Sequence, residues 1–148
     1  MSTLERAIAI AAESHSGQTD KGGAPYILHP LRVMLRVEGE VARMAAVLHD
    51  VVEDTDWTLD DLRAEGFGES VVAAVDALTR RPGEVYLDFC RRAARNEVAR
   101  RVKLADIDDN LDPLRVAALP EDARSLSDRY RKARAILLDA EDQADAAP

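Results

Sequence analysis

The chain has 148 residues, of which 47% are hydrophobic, 4% are aromatic and one is a cysteine. That is enough apolar material for one domain with one core, and it excludes an intramolecular disulfide framework. A formal charge of −8 at pH 7 argues against nucleic acid as a partner, although an anionic metabolite could still use a local basic patch. No Lys/Arg-led apolar run opens the chain and no stretch approaches 18 apolar residues. Neither a signal peptide nor a membrane span is expected, and the chain reads as cytoplasmic. Ala, Leu, Arg, Glu and Asp dominate over seven Gly and six Pro, which predicts an all-α fold.

Residues 2 to 15 read as a first helix, capped by Ser2 or Thr3, with Leu4, Ala7, Ile8, Ala11 and Ala12 as its apolar stripe. Ser16 to Pro25 is a loop by composition, long for a helix connection, and long loops are often functional. His29 precedes Pro30, so it is expected at the mouth of a second helix that runs to about Val37 and ends at Gly39. A central helix is predicted from Glu40 to Asp54. Thr58 to Leu62 reads as a short capped helix closed by Gly66, and Ser70 to Thr79 as an apolar helix with Val71, Val72, Val75 and Leu78 inward. After a turn at Arg80-Arg81-Pro82-Gly83, helices are predicted over Glu84–Arg95 and Glu97 to about Leu111. Cys90 lies in the first of these and reads as a half-buried thiol rather than a nucleophile. Asp112-Pro113 breaks the chain, and Leu114 to Leu119 is a helical turn or loop. Ser127 to Ala140 closes the fold, with Tyr130, Ala133, Ile136 and Leu137 inward. The expected domain is 1–138, followed by an acidic, frayed tail over 139–148.

Leu48-His49-Asp50-Val51-Val52-Glu53-Asp54-Thr55 is the densest chemistry in the chain. Val41, Met44, Ala45, Leu48, Val51 and Val52 share one helical face. With Leu48 at its centre, His49, Glu53, Asp50 and Asp54 fall at about 100, 140, 200 and 240°. That is one polar arc opposite the core, which four such residues could form simply as a solvated face. An adjacent His-Asp pair can also donate nitrogen and oxygen to one divalent metal, with a Glu one turn on to handle a water. A second group lies in Val102–Leu111. Lys103, Asp106 and Asn110 share one side of a helix and Leu104, Ile107 and Leu111 the neighbouring side. A surface Lys–Asp pair would explain it, but a metal at His49-Asp50 needs further ligands and Asp106 offers one.

Three segments, Gly22-Gly23-Ala24-Pro25-Tyr26-Ile27-Leu28-His29-Pro30, Leu48 to Thr55, and Val102-Lys103-Leu104-Ala105-Asp106 with Asn110, together resemble the HD phosphohydrolase superfamily. Within it they are similar to the (p)ppGpp hydrolase domain of the RelA/SpoT family, in its single-domain form, the small alarmone hydrolases. The likeness runs from about Leu4 to Asn110. It implies an all-α, single HD-domain helical bundle, bound Mn²⁺, and hydrolysis of the 3′-pyrophosphate of (p)ppGpp to GDP or GTP and pyrophosphate. The metal ligands it implies are His29, His49, Asp50 and Asp106, with Glu53 and Asp54 as the catalytic acidic pair. Lys21, Tyr26, Lys103 and Asn110 would face the nucleotide, although Tyr26 could equally pack. Mn, Fe, Zn or Mg would each suit two imidazoles and two carboxylates. Further cations for a polyphosphate could come from Arg80, Arg81, Arg124 and Arg131. His15 would pin the loop. The expected partner is a small anionic nucleotide, and the expected assembly a monomer or small homo-oligomer.

Three positions depart from that pattern. Asp20 stands where the family commonly has arginine before Lys21, and Ile107 and Asp109 stand where it shows a basic residue and His or Tyr. An Asp at 109 would repel a polyphosphate unless it faced away. Rival readings are an HD phosphohydrolase acting on another nucleotide, such as a nucleoside phosphate or NADPH, and a non-catalytic module that keeps a metal for structure.

Overall fold

The computed structural model describes residues 1–147. Its helices are α1 (Leu4–Ser14), α2 (Leu28–Arg36), α3 (Glu40–Leu48), α4 (Val51–Asp54), α5 (Leu59–Ala64), α6 (Glu69–Ala77), α7 (Tyr86–Ala94), α8 (Glu97–Asn110), α9 (Pro113–Ala118) and α10 (Leu126–Ala146), with a 3₁₀ turn over Glu121–Ala123. No strand occurs among the described residues, only an isolated bridge between Thr19 and Pro25. No helix among them is long and apolar enough to cross a membrane.

Helix α3 is the axis of the bundle, packed by α1, α2, α6 and α8. Its sequence explains why. Ala42, Ala45 and Ala46 let neighbours approach from several sides, while Met44, Val47 and Leu48 fill the space between them, and all six are buried. Gly39 enters α3 at φ +92°, a conformation that side chains with a Cβ rarely adopt. A second apolar cluster joins Tyr86, Phe89 and Cys90 of α7, Ile107 of α8, and Ala133 and Leu137 of α10. Helix α8 belongs to both clusters, since Ala99, Val102 and Ala105 face the first. It therefore holds its polar residues at a fixed height beside α2 and α3. Thr3 and Thr58 cap their helices through a side-chain oxygen as expected, and Asn96 and Asp112 do the same for α8 and α9.

Two expectations are corrected. The central helix is not continuous: it breaks at His49 and Asp50, between α3 and α4. The cause is local competition for one carbonyl. The His49 ring Nδ1 lies 2.5 Å from the Ala46 carbonyl oxygen, which the His49 backbone N–H also approaches at 3.4 Å in a tighter i→i−3 bond.

The acidic tail is also not frayed over 139–146. Helix α10 runs on to Ala146 because Ala140 packs on the second cluster and Glu141 accepts a hydrogen bond from Arg100 Nε. Arg100 is buried, with Nη1 donating to the Ala94 carbonyl at 3.0 Å. Only Pro148 of that segment lies outside the described residues. Glu141→Ala should lower the unfolding free energy by about 2 kcal/mol in urea titrations, the loss of one charged hydrogen bond to a buried group. A tail without a role in the fold would leave the midpoint unmoved.

Candidate metal centre

His29 comes from the first turn of α2, His49 and Asp50 from the α3–α4 break, and Asp106 from the middle of α8. They are far apart in the chain and converge in space. His29, His49 and Asp50 each offer a ligand atom within 4.8 Å of the others. Asp106 Oδ1 lies 2.9 Å from His29 Nε2 and 3.7 Å from His49 Nε2, and Asp50 Oδ2 lies 3.1 Å from His49 Nε2. The two imidazole rings meet edge to face at 5.5 Å. The polar arc anticipated from the sequence is thus not a solvated face where it matters. His49 is 2% exposed, turned toward α2 and α8.

The donor set fits a divalent cation. His49 Nδ1 is committed to the Ala46 carbonyl, so that nitrogen carries a hydrogen and Nε2 is the one available to give a cation its lone pair. Nε2 is buried and has no hydrogen-bond partner. A buried polar nitrogen without a partner is costly, and a cation between it and two carboxylates removes the cost. Burial opposes charge on Asp106, but the ammonium of Lys103 and the hydrogen bond from His29 hold its carboxyl well below the usual range. Burial likewise opposes charge on Asp50, and the neighbouring His49 keeps it low.

A cavity of about 550 Å³ opens onto this cluster, its wall including Lys21, Tyr26, His29, Asp50, Lys103, Asp106, Asn110 and Arg115. The Tyr26 hydroxyl donates to Asp50 Oδ2, and its ring sits 4.9 Å from that of His15 and 5.8 Å from that of His29. Tyr26 therefore both packs and lines the cavity. Lys103 Nζ donates to Asp106 Oδ2 at 2.8 Å and lies over the Phe89 ring at 4.9 Å. Asn110 Nδ2 donates to Asp106 Oδ1 at 3.2 Å. Glu53 and Asp54 lie one turn beyond Asp50, partly exposed and outside the cavity lining. Glu53 Oε1 accepts from the Arg80 backbone N–H at 2.8 Å. Partial burial and then the charge of Asp50 raise the Glu53 carboxyl, against the Arg80 hydrogen bond. Burial, with Asp50 and Glu53 adding like charge, pushes Asp54 up to about 6.

The entry loop is built on Asp20. Its Oδ1 accepts from the backbone N–H groups of Gly22 and Ala24, both at 2.9 Å, and its Oδ2 from Arg115 Nη2 at 3.3 Å. A Cβ at Gly22 would stand 3.1 Å from that of Ala118, so the loop lies directly on α9. His15 pins the other side, with Nδ1 2.8 Å from Gln18 Oε1. Asp109 does not face the cavity. It is buried behind His29, against Arg32 and Arg115. Arg32 and Arg115, which sequence reasoning passed over, line the cavity, whereas Arg80, Arg81, Arg124 and Arg131 do not. Arg115 lies in the segment left open as helix or loop, and only the docking of α9 on the entry loop brings it to the cluster.

An HD-domain family model matches residues 7–146. A guanosine-3′,5′-bis(diphosphate) 3′-pyrophosphohydrolase of Vibrio cholerae is 38% identical over 111 residues, covering 72% of this chain and 15% of that protein. One of the same name from Aquifex aeolicus is 34% identical over 123 residues, covering 75% of this chain and 18% of that protein. The chain thus spans less than a fifth of the length of these relatives. A solved structure, described as a metazoan ortholog of SpoT that hydrolyzes ppGpp, superposes with a TM-score of 0.75 at 29% identity, covering 95% of this chain and 85% of that one. The family match takes in nearly all of the bundle together with all four converging side chains, and this chain belongs to the HD-domain family.

Proposed function

We propose that this chain is a metal-dependent phosphohydrolase that removes the 3′-pyrophosphate of (p)ppGpp, giving GDP or GTP and pyrophosphate. The observation that carries the reading is the buried, unpartnered Nε2 of His49, set among Asp50, Asp106 and His29, which line an open cavity. The names of the pyrophosphohydrolase relatives supply the substrate. In this reading His29, His49, Asp50 and Asp106 hold Mn²⁺. Such an ion lowers the pKa of water and polarises a phosphoryl oxygen.

The protein's own residues do the remainder. Glu53 has Oε1 committed to the Arg80 N–H, which leaves Oε2 to take a proton from the attacking water. Its raised carboxyl suits a base working nearer neutrality. Asp54 supports it as the second acid of the pair. Lys21, Lys103, Asn110 and Arg115 line the cavity and offer donors to phosphate oxygens. Tyr26, with its hydroxyl held by Asp50, gives the nucleotide a rigid wall.

A second reading, hydrolysis of another nucleotide, is favoured by Asp20. Its carboxylate is bound to Arg115 and the loop backbone, where an arginine would offer a free guanidinium. Purified protein with Mn²⁺, given a nucleotide panel, separates the two. Pyrophosphate released from (p)ppGpp is the expected result. Orthophosphate from other nucleotides would select the second reading. Silence across the panel with metal bound would overturn both in favour of a non-catalytic module.

A further inference from the structure

Asp109 is 1% exposed and lies among several donors. Its Oδ2 lies 2.6 Å from His29 Nδ1 and accepts from Arg115 Nη1 at 2.9 Å and Arg32 Nη2 at 3.3 Å. Its Oδ1 accepts from Arg32 Nε at 2.8 Å. An ionised carboxylate only accepts, so His29 Nδ1 must carry a hydrogen. The opposite ring nitrogen, Nε2, points at the cluster, where it donates to Asp106 Oδ1 at 2.9 Å; a cation held there would replace that proton as the partner of Nε2. Arg115 Nη1 also comes within 3.1 Å of His29 Nδ1, but both are donors, and the Asp109 oxygen between them is what they share.

His49 is oriented by other means: its Nδ1 is held by the Ala46 carbonyl. The two histidines are therefore set the same way round, one by a backbone carbonyl and one by a carboxylate. A carboxylate does more than a carbonyl, because it also makes the distal nitrogen a stronger donor to a metal. Arg32 from α2 and Arg115 from α9 fix that carboxylate from its outer side and offset its charge toward the cavity.

We infer that Asp109 is a positioning residue for His29: it fixes the Nδ1–H form, turns Nε2 to the cation and strengthens its hold, while Arg32 and Arg115 keep Asp109 in place. This rests on the metal-centre reading above. The test is calorimetric titration of Mn²⁺ into the metal-stripped full chain, with Asp109→Leu and Asp109→Asn. Asp109→Leu removes the acceptor and should weaken Mn²⁺ binding toward 100-fold, whereas Asp109→Asn keeps an acceptor without the charge and should cost about tenfold, within the range for such outer partners. In ¹⁵N-labelled protein loaded with diamagnetic Zn²⁺, a His29 Nδ1–H signal should be present in the wild type and in Asp109→Asn, and absent in Asp109→Leu.

A role confined to folding would lower thermal stability of both variants and leave the Mn²⁺ affinity of the folded protein unchanged, which would overturn the inference. A wild-type spectrum with His29 protonated on Nε2 would overturn it too. If Asp109→Leu does not fold, Asp109→Asn and the wild-type spectrum decide. Wild-type protein that takes up no Mn²⁺ would sink the metal-centre reading and this inference with it. Normal wild-type uptake with matching variants would sink this inference alone.

Discussion

Asp50→Ala is expected to lose Mn²⁺ binding and hydrolysis together while keeping its fold. Asp50 sits at the break between α3 and α4, where its carboxylate faces His49 Nε2 at 3.1 Å and takes the Tyr26 hydroxyl. Without it, two buried imidazoles share a single carboxylate, Asp106, which Lys103 already half neutralises at 2.8 Å. The site then carries too little negative charge to offset a divalent ion. Affinity should fall by more than about 100-fold, beyond what loss of an outer hydrogen-bonding partner produces. Turnover should fall to background, since a bound ion would be what activates the water and polarises the phosphoryl. Asp50 is not part of the apolar core, so the far-UV circular dichroism of the metal-free variant should match the wild type. Calorimetry with Mn²⁺ and a pyrophosphate-release assay check both halves. A variant that binds normally would remove Asp50 from the ligand set.

Glu53→Gln should separate metal from rate. Gln keeps an amide oxygen for the Arg80 N–H, which Glu53 Oε1 now accepts at 2.8 Å, so α4 and the turn after α6 stay joined. What is lost is a group able to take a proton. General-base losses run to about 10²–10⁴-fold in rate. Mn²⁺ affinity should therefore stay near the wild-type value while kcat drops by that factor, measured by single-turnover release of pyrophosphate. An unchanged kcat would take Glu53 out of the mechanism.

Much of this arrangement was legible before any coordinates. Helical periodicity marked α1, α6, α8 and α10, and the apolar residues it placed inward on α6 are all buried. The resemblance to HD phosphohydrolases pointed to His29, His49, Asp50 and Asp106, the side chains that converge. Three features were not legible, each for a physical reason. The break at His49-Asp50 is invisible to periodicity because the apolar stripe continues through it from Leu48 to Val51, and only the ring's hold on the Ala46 carbonyl interrupts the ladder. Asp109 looked repulsive because its charge could be read but its partners could not: Arg32 lies 77 positions away in the chain. The tail looked frayed because acidic residues were counted without their partner, Arg100, on a different helix. Composition reports charges one at a time, whereas the fold pairs them across long separations.

One cation should bind among His29, His49, Asp50 and Asp106, and anomalous diffraction from crystals grown with Mn²⁺ decides it. A single strong peak per chain, ligated by Nε2 of both histidines and by both aspartates, is the expected result. A peak elsewhere, or none at saturating Mn²⁺, would contradict it.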